Sequence, residues 1–363
     1  RNLAVSATGD DTISIRGGEV TFDTVDLYGR AGTPIIVKHE AGLLTVRRSE
    51  IPFIDSTAYT TLTVEDSRVH ALSVKNARAT IERSELTALQ IDEGSDCTVV
   101  NSVFSDAPSR NLRYGVVVNG SSLTIASSRL QLAQRRSRTG TSIPLIAATN
   151  ANVSVERSIL QFIGGESESS VLIHSRGGSL DVERSYLTSR SGMYNYGVVL
   201  RDTEYTARDT VLAVEGGRES TAIVSGNSLL RVTNSAITVG ETGNDGPVRA
   251  VQITSSDLPR EHRFTRVYLG FSERSAVVDA RERPTSTSAL ERQRRVPRSV
   301  SQDSAIRTDG SSEIVLDAVL YDGWSSVVMS GIDNGVRLAR TILADRLVTA
   351  TIGESIRFRF VEP

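Results

Sequence analysis

The sequence is poor in cysteine, lysine and histidine. Its single cysteine, Cys97, excludes an internal disulfide framework. Of 41 basic residues, only Lys38 and Lys75 are lysines. The spacing of the four histidines fits neither a metal-binding motif nor a catalytic triad, so we predict no metal and no cofactor. These histidines are His39, His70, His174 and His262.

The sequence also has neither a large net charge nor a long apolar run. The formal net charge is -2, which argues against nucleic acid as a partner. No apolar run is long enough to span a membrane. The sequence starts at Arg1 with no initiator Met or signal peptide, so we expect a mature or excised segment of a longer polypeptide.

An eight-residue motif recurs along almost the whole chain. In its Leu180–Leu187 copy, LDVERSYL, positions one, three and eight are apolar and position six is small. A motif repeated at this spacing is typical of stacked repeat architectures. The copies begin at Val20, Leu44, Leu62, Ala79, Cys97, Leu123, Val153, Leu180, Tyr205, Leu230, His262, Ile314 and Val336.

Each motif has the period of two short β-strands that meet at a corner. Positions one and three alternate as in a strand with one buried face, and positions six and eight do so after a two-residue break. A further apolar segment, such as Tyr196–Leu200, precedes most copies. No helical periodicity lies between these segments, so we predict an all-β solenoid, a single domain over residues 1–363 with about 13 coils.

Neighbouring coils should align motif on motif. Arg47 is then expected opposite Glu65, and Asp66 between Arg48 and Arg83. These pairs are exposed, so they should specify register more than stability. The small hydroxyl at position six is expected to turn inward and bond to backbone.

The repeated motif resembles the right-handed parallel β-helix proteins of the pectate-lyase-like type, which include polysaccharide-degrading enzymes, phage tailspikes and bacterial surface passengers. This resemblance implies right-handed coiling and a location outside the cell or in the bacterial cell envelope. It does not indicate a function, because the matching positions are those of the core.

The signatures of the enzyme branches are mostly missing. Of the four polygalacturonase segments, only an Asp-Asp pair is present, at Asp10 and Asp11. Asp202 and Glu204, with Arg201, form the other candidate pair of carboxylates for glycoside hydrolysis. Surface charges at a strand end are commoner than catalytic pairs, so we favour a protein without catalysis.

Variable loops follow most motif copies and should stack on one side of the solenoid. Their arginines and tyrosines are candidates for stacking on sugar rings and bonding to hydroxyls or carboxylates. The alternative, that these are ordinary solvated loops, stays open. The candidates are Arg113, Tyr114, Arg135, Arg136, Arg138, Arg190, Tyr194 and Tyr196.

Two segments near the C-terminus differ from the repeat. The Arg-rich stretch 281–307 lacks strand periodicity and is predicted to be an inserted loop. The segment Ser355–Val361 alternates as a strand, which suits either a lid on the last coil or a contact with another subunit.

Three functions are compatible with the sequence. The preferred one is a non-catalytic shaft or adhesion surface that binds polysaccharide or envelope proteins. The second is a polysaccharide lyase or glycoside hydrolase with its site on the loop side, near Tyr114, Arg201 and Asp202. The third is a subunit of a larger envelope or filament assembly, with end-to-end contacts.

Overall fold

A computed structural model describes most of the predicted coils. The described residues are 12–27, 35–105, 115–133, 144–164, 170–190, 194–216, 219–240, 248–254, 260–272, 304–309, 312–317, 320–322, 327–330, 334–339 and 356–360. The chain divides into two compact units, one of residues 1–132 and 145–159 and the other of 133–144 and 160–363. The predicted single domain stays a prediction.

The described residues are all-β, and the strands within each unit pair in parallel. The first fourteen strands are β1 (Thr12–Asp23), β2 (Ile36–Arg47), β3 (Glu50–Thr57), β4 (Thr61–Glu65), β5 (Arg68–Lys75), β6 (Arg78–Glu82), β7 (Glu85–Asp92), β8 (Asp96–Val100), β9 (Val103–Phe104), β10 (Val116–Asn119), β11 (Ser122–Ala126), β12 (Arg129–Ala133), β13 (Ile146–Glu156) and β14 (Ile159–Ile163). The remainder are β15 (Ser170–Glu183), β16 (Tyr186–Arg190), β17 (Tyr194–Arg201), β18 (Glu204–Arg208), β19 (Val211–Glu215), β20 (Glu219–Gly226), β21 (Leu229–Thr233), β22 (Ala236–Gly240), β23 (Val248–Thr254), β24 (Arg260–Thr265), β25 (Tyr268–Ser272), β26 (Ser304–Asp309), β27 (Ser312–Asp317), β28 (Leu320–Asp322), β29 (Val327–Ser330), β30 (Asn334–Ala339) and β31 (Ile356–Phe360).

In the first unit, the motif copies stack in register. The first position of each copy pairs with the first position of the next. This ladder passes through Val20, Leu44, Leu62, Ala79, Cys97, Leu123 and Val153. The predicted alignment of coils is therefore confirmed in this unit, and the fold is a parallel β-solenoid.

The second unit repeats the same arrangement. Leu180 pairs with Tyr205 and Tyr205 with Leu230, and a further ladder joins His262, Ile314, Val336 and Phe358. The pairing of Val232 with Phe264 links the two ladders. Phe358 adds a coil beyond the predicted copies, since β31 pairs in parallel with β30. The right-handed winding stays a prediction.

The core consists of the inward positions of these ladders. Leu44, Val46 and Leu62 are fully buried, and so is Ile81. Burial of apolar surface between successive coils provides most of the stability, at about 25 cal/mol per Å². Because each coil contacts only its neighbours, the stability of a solenoid is close to a sum over neighbouring pairs.

The corner after motif position four has a left-handed backbone. Position five has positive φ in successive copies although none of its residues is glycine: the residues include Arg48, Asp66, Arg83, Asn101, Ser127, Arg157, Arg184, Asp209 and Asn234. A second corner lies three residues before the first motif position. It also has positive φ, at Asn76, Asn150, Asp202 and Asn227. Asn and Asp tolerate this conformation best, which explains their presence at the second corner.

A column of buried hydroxyls follows the first corner, as predicted. Ser128 Oγ donates to the carbonyl of Ala126 at 2.8 Å and accepts the amide of Ser102, one coil before, at 3.1 Å. The Ser128 amide in turn donates to Ser158 Oγ at 3.1 Å. The same contacts join Ser49, Ser67, Ser84 and Ser102. Each hydroxyl thus satisfies backbone groups that strand pairing leaves free at the corner.

Replacing Ser128 by alanine should therefore lower the free energy of unfolding by about 2 kcal/mol, because the Ser102 amide and the Ala126 carbonyl lose a buried partner. Urea titration would measure the loss. Ser127→Ala is the matched control, since Ser127 precedes Ser128 in the same corner and is exposed. Equal losses in the two variants would show that the buried column contributes nothing specific.

Ion pairs follow the corner of the first unit. Arg47 Nε lies 3.0 Å from Glu65 Oε2, and Arg83 Nε lies 2.8 Å from Asp66 Oδ1, as predicted. Arg48 differs from the prediction, since it pairs with Asp23 of the preceding coil, at 2.6 Å, and not with Asp66. These side chains are exposed or, for Glu65, half-buried, so the pairs contribute little stability and mainly favour the observed register.

An outward column of threonines runs along the sheet of the first unit, at motif position two. The repeated pattern read from the sequence specifies positions one, three, six and eight but not this one. The residues pair in register from coil to coil: Thr21, Thr45, Thr63, Thr80, Thr98 and Thr124, followed by Ser154. Threonine has a high β-propensity, because its branched side chain packs well against the same residue on the next strand.

The Arg-rich stretch 281–307 lies mostly outside the described residues. Strand β26 begins at Ser304, so the last four residues of the predicted loop are strand. The predicted C-terminal strand is confirmed over Ile356–Phe360.

Candidate functional site

An open groove of about 860 Å³ lies along the corner of the first unit, beside Arg48, Asp66 and Arg83. Most of its charges are already paired: besides the corner pairs, Arg68 Nη2 lies 2.7 Å from Glu85 Oε2. Hydrogen bonds from Ser105 and Arg68 lower the pKa of Glu85, and those from Arg83 lower the pKa of Asp66. We therefore interpret the groove as part of the stacked corner and not as a ligand site.

The predicted ligand-binding residues divide into two groups. Arg190, Tyr194 and Tyr196 lie within the described residues, on strands β16 and β17. The rest lie outside them: Arg113, Tyr114, Arg135, Arg136 and Arg138. Arg190 is exposed at the end of β16, in register with Glu215 of the next coil.

The two tyrosines lie on the outer face of β17. Tyr194 is 42% exposed and Tyr196 is half-buried, while Asn195 between them is fully buried. Alternation along a strand therefore places both tyrosines on one side, roughly 7 Å apart along the strand. Burial, the Glu219 carboxylate and Tyr194 together raise the pKa of Tyr196, so its phenol is neutral at pH 7.

A buried polar network fixes Asn195 on the inner side. Its Oδ1 accepts from Ser170 Oγ at 2.6 Å and from Ser189 Oγ at 2.7 Å. Its Nδ2 donates to the carbonyls of Ser189 at 3.0 Å and Glu215 at 2.7 Å. These four hydrogen bonds fix the Asn195 side chain in one orientation. They also restrict the backbone of β17 at Tyr194 and Tyr196 on either side.

Gly197, which follows Tyr196, brings β17 close to β20. A Cβ at this position would lie 2.5 Å from the carbonyl oxygen of Ala222, so no larger residue fits. Tyr196 stays in register with Thr221, and Val198 with Ile223. Gly197 thus allows the close approach that sets Tyr196 beside β20.

Two further coils complete this outer face with charged and polar groups. Tyr194 is in register with Glu219, and the row of Tyr196 continues through Thr221 to Arg249. Arg249 Nη1 donates to Glu219 Oε1 at 3.1 Å. We call this set of five residues the tyrosine face.

Two buried polar atoms of the tyrosine face have no hydrogen-bond partner among the described residues. These are Thr221 Oγ1, in a fully buried residue, and Arg249 Nε. A buried polar group without a partner costs about 1–3 kcal/mol. The two residues are directly opposite each other in the ladder, but both atoms are buried, so a ligand on the surface does not contact them.

Half-buried valines continue the outer surface along the same strands. Val199 of β17 is in register with Val224 of β20. They give the surface an apolar part next to the polar groups. Aromatic and apolar area with a few convergent polar groups is the usual composition of a small-molecule or sugar site.

Sequence reasoning found Tyr194 and Tyr196 but missed Glu219, Thr221 and Arg249. Aligning the apolar segments that precede the motifs, Tyr196–Leu200 with Ala222–Val224 and Val248–Val251, would have placed these residues together. Loops of unequal length precede the segments, so their starts had no obvious register.

The candidate catalytic residues Arg201, Asp202 and Glu204 are exposed at the end of β17 and the start of β18. No ion pair or side-chain hydrogen bond joins them in the described part of the chain. Asp202 occupies the second left-handed corner with φ of 52°, and its amide donates to the Gly226 carbonyl at 2.9 Å. The corner alone explains an aspartate there, and a catalytic role stays a prediction. Asp10 and Asp11 lie outside the described residues.

Other reactive groups are buried or dispersed. Burial raises the pKa of the Cys97 thiol and lowers that of His39, whose Nδ1 lies 3.1 Å from Ser56 Oγ. Among the described residues, no three His, Cys, Asp or Glu side chains are grouped as metal ligands. Over the same residues, no helix has the length and apolarity that a membrane span needs.

Comparison with protein families, with curated proteins and with solved structures found no match in any of the three. The class that the structure establishes is therefore the fold class, an all-β parallel solenoid.

Proposed function

We propose that this protein is a non-catalytic β-helix that acts as a rigid shaft and binds a polysaccharide through the tyrosine face. The observation behind the proposal is the position of Tyr194 and Tyr196 on one outer surface, beside Arg249 and Glu219. Aromatic faces pack against the apolar faces of sugar rings, and the charged pair bonds to sugar hydroxyls.

The fold suits a shaft because each unit is a stack of coils held by register-specific contacts. Backbone pairing, the buried hydroxyl column and the corner ion pairs all repeat from one coil to the next in the first unit. A site on the strands of such a scaffold is held more precisely than a site on loops.

The cell envelope or the extracellular space is the proposed location. It is supported by the resemblance of the repeated motif to pectate-lyase-like β-helix proteins, which include bacterial surface passengers. A single buried Cys97 and a near-zero net charge are compatible with such a location.

A glycan array of plant, algal and bacterial polysaccharides tests the function, with a parallel assay for unsaturated and reducing-end products. We expect binding without product. The double variant Tyr194→Ser and Tyr196→Ser should weaken binding by roughly tenfold or more, because aromatic side chains dominate such contacts.

Tyr59→Ser is the matched control, since Tyr59 is 91% exposed on a turn of the first unit. It should bind as the unaltered protein does. Product formation that is lost in Asp202→Asn would overturn the proposal in favour of an enzyme. Absence of binding to every polysaccharide would overturn it in favour of a protein partner.

A further inference from the structure

The charges of the tyrosine face balance one another. Arg249 and Glu219 are joined at 3.1 Å, with their side chains only 12% and 25% exposed. Arg249 Nη1 also lies 3.4 Å from Gln252 Oε1. The tyrosine and threonine hydroxyls are neutral, so these groups add no net charge at neutral pH.

The pair retains capacity for further hydrogen bonds. A carboxylate accepts at two oxygens, and among the described residues only Oε1 of Glu219 is bonded to Arg249. Both side chains are partly exposed, so the site offers a carboxylate acceptor and a guanidinium donor within one small area.

Adjacent hydroxyls of a sugar ring match this arrangement. One hydroxyl donates to the Glu219 carboxylate, and its neighbour accepts from the Arg249 guanidinium. Hydrogen bonds to charged groups are stronger than those between neutral groups.

A carboxylate ligand fits less well. An anion that approaches Arg249 also approaches Glu219, because the two side chains are in contact, and the repulsion offsets the attraction. The next cation on β17, Arg201, lies roughly 16 Å from Tyr196 along the strand, beyond the range of unscreened interaction in physiological salt.

From this geometry we infer that the tyrosine face takes uncharged sugar residues, with the Arg249–Glu219 pair as its hydroxyl-binding group, and that it discriminates against uronic acids. This inference rests on the proposed function. It adds the ligand class and names Glu219 as the residue that excludes acidic sugars.

The test compares polysaccharides that differ only in charge. Each uronic-acid polysaccharide is printed on the array beside its carboxyl-reduced form, which is a neutral glycan with the same linkages. For the polysaccharide that the protein binds, we expect the affinity for the neutral form to exceed that for the acidic form by roughly tenfold or more. This is the difference that one charge-assisted hydrogen bond makes.

The Glu219→Gln variant should reduce this preference, since glutamine keeps the size of the side chain and removes its negative charge. Binding of the neutral form should weaken, and binding of the acidic form should strengthen. Glu19→Gln is the matched control, because Glu19 is exposed on β1 of the first unit. It should leave both affinities unchanged.

Two results would overturn the inference in different ways. If the unaltered protein prefers the uronic-acid form, the inference is wrong but the proposed function stands. If it binds neither form of any polysaccharide, the proposed function fails and the inference fails with it.

Arg249→Gln, checked for folding by circular dichroism, should lose binding of the neutral form. Unchanged binding in a folded Arg249→Gln protein would also contradict the inference.

Discussion

Replacing Tyr205 by alanine is expected to lower the free energy of unfolding by about 3–5 kcal/mol, the usual cost of deleting a buried aromatic ring. Tyr205 is 1% exposed and lies at the first motif position, between Leu180 and Leu230 of the adjacent coils. Its loss would leave a cavity between three layers of the core. Urea titration followed by circular dichroism measures the effect.

Tyr205→Phe serves as the control for volume, because it keeps the ring and removes the hydroxyl. We expect this variant to lose much less stability than Tyr205→Ala. Tyr59→Ala controls for the residue type, since Tyr59 is almost fully exposed and should change stability within about 0.5 kcal/mol. Similar losses for Tyr205→Ala and Tyr59→Ala would contradict the core position.

The register of the coils could be predicted from the sequence for a physical reason. In a parallel in-register stack, equivalent motif positions lie directly above one another, so a periodic sequence specifies both the strand and its partner. The predicted register is confirmed even at His262, where a histidine occupies an apolar position. It is 1% exposed and pairs with Ile314.

The backbone of the corners could be predicted only in part. The break positions were correctly expected in solvent, but nothing about Arg48, Arg83 or Arg184 predicts a positive φ, since arginine has no preference for it. At the second corner, Asn76 and Asn227 do give a signal, because asparagine is enriched in the left-handed region. The surrounding ladder enforces the conformation at the arginines.

Two of the five residues of the tyrosine face could be predicted from the sequence. Tyr194 and Tyr196 are neighbours on one strand, so alternation alone places them together. Glu219 and Arg249 come from two later coils, and unequal loops separate them from β17. Their approach depends on the alignment of three coils, including the close contact that Gly197 permits. The eight-residue motif alone does not give that alignment; the apolar segments before the motifs must be aligned as well.

A β-bulge between β1 and β2 contains the second residue whose substitution is expected to lower stability strongly, Gly42. Arg16 is in register with Ala41 and Glu19 with Leu43, so Gly17 and Gly18 lie opposite the single residue Gly42. One extra residue on a strand is the definition of a β-bulge, and glycines are favoured there because the backbone turns to positive φ. Gly42 has φ of 92°.

Gly42→Ala is expected to destabilise the first unit by about 3 kcal/mol or more, from positive-φ strain together with a backbone clash. A Cβ at Gly42 would lie 2.2 Å from the carbonyl oxygen of Gly18, which is backbone and can move only with β1. Gly18→Ala separates the two causes, because its φ is 77° but no atom lies within 4 Å of its Cβ. It should cost only about 1 kcal/mol. Equal losses in the two variants, measured by urea titration, would show that strain alone acts and that β1 and β2 are not in close contact.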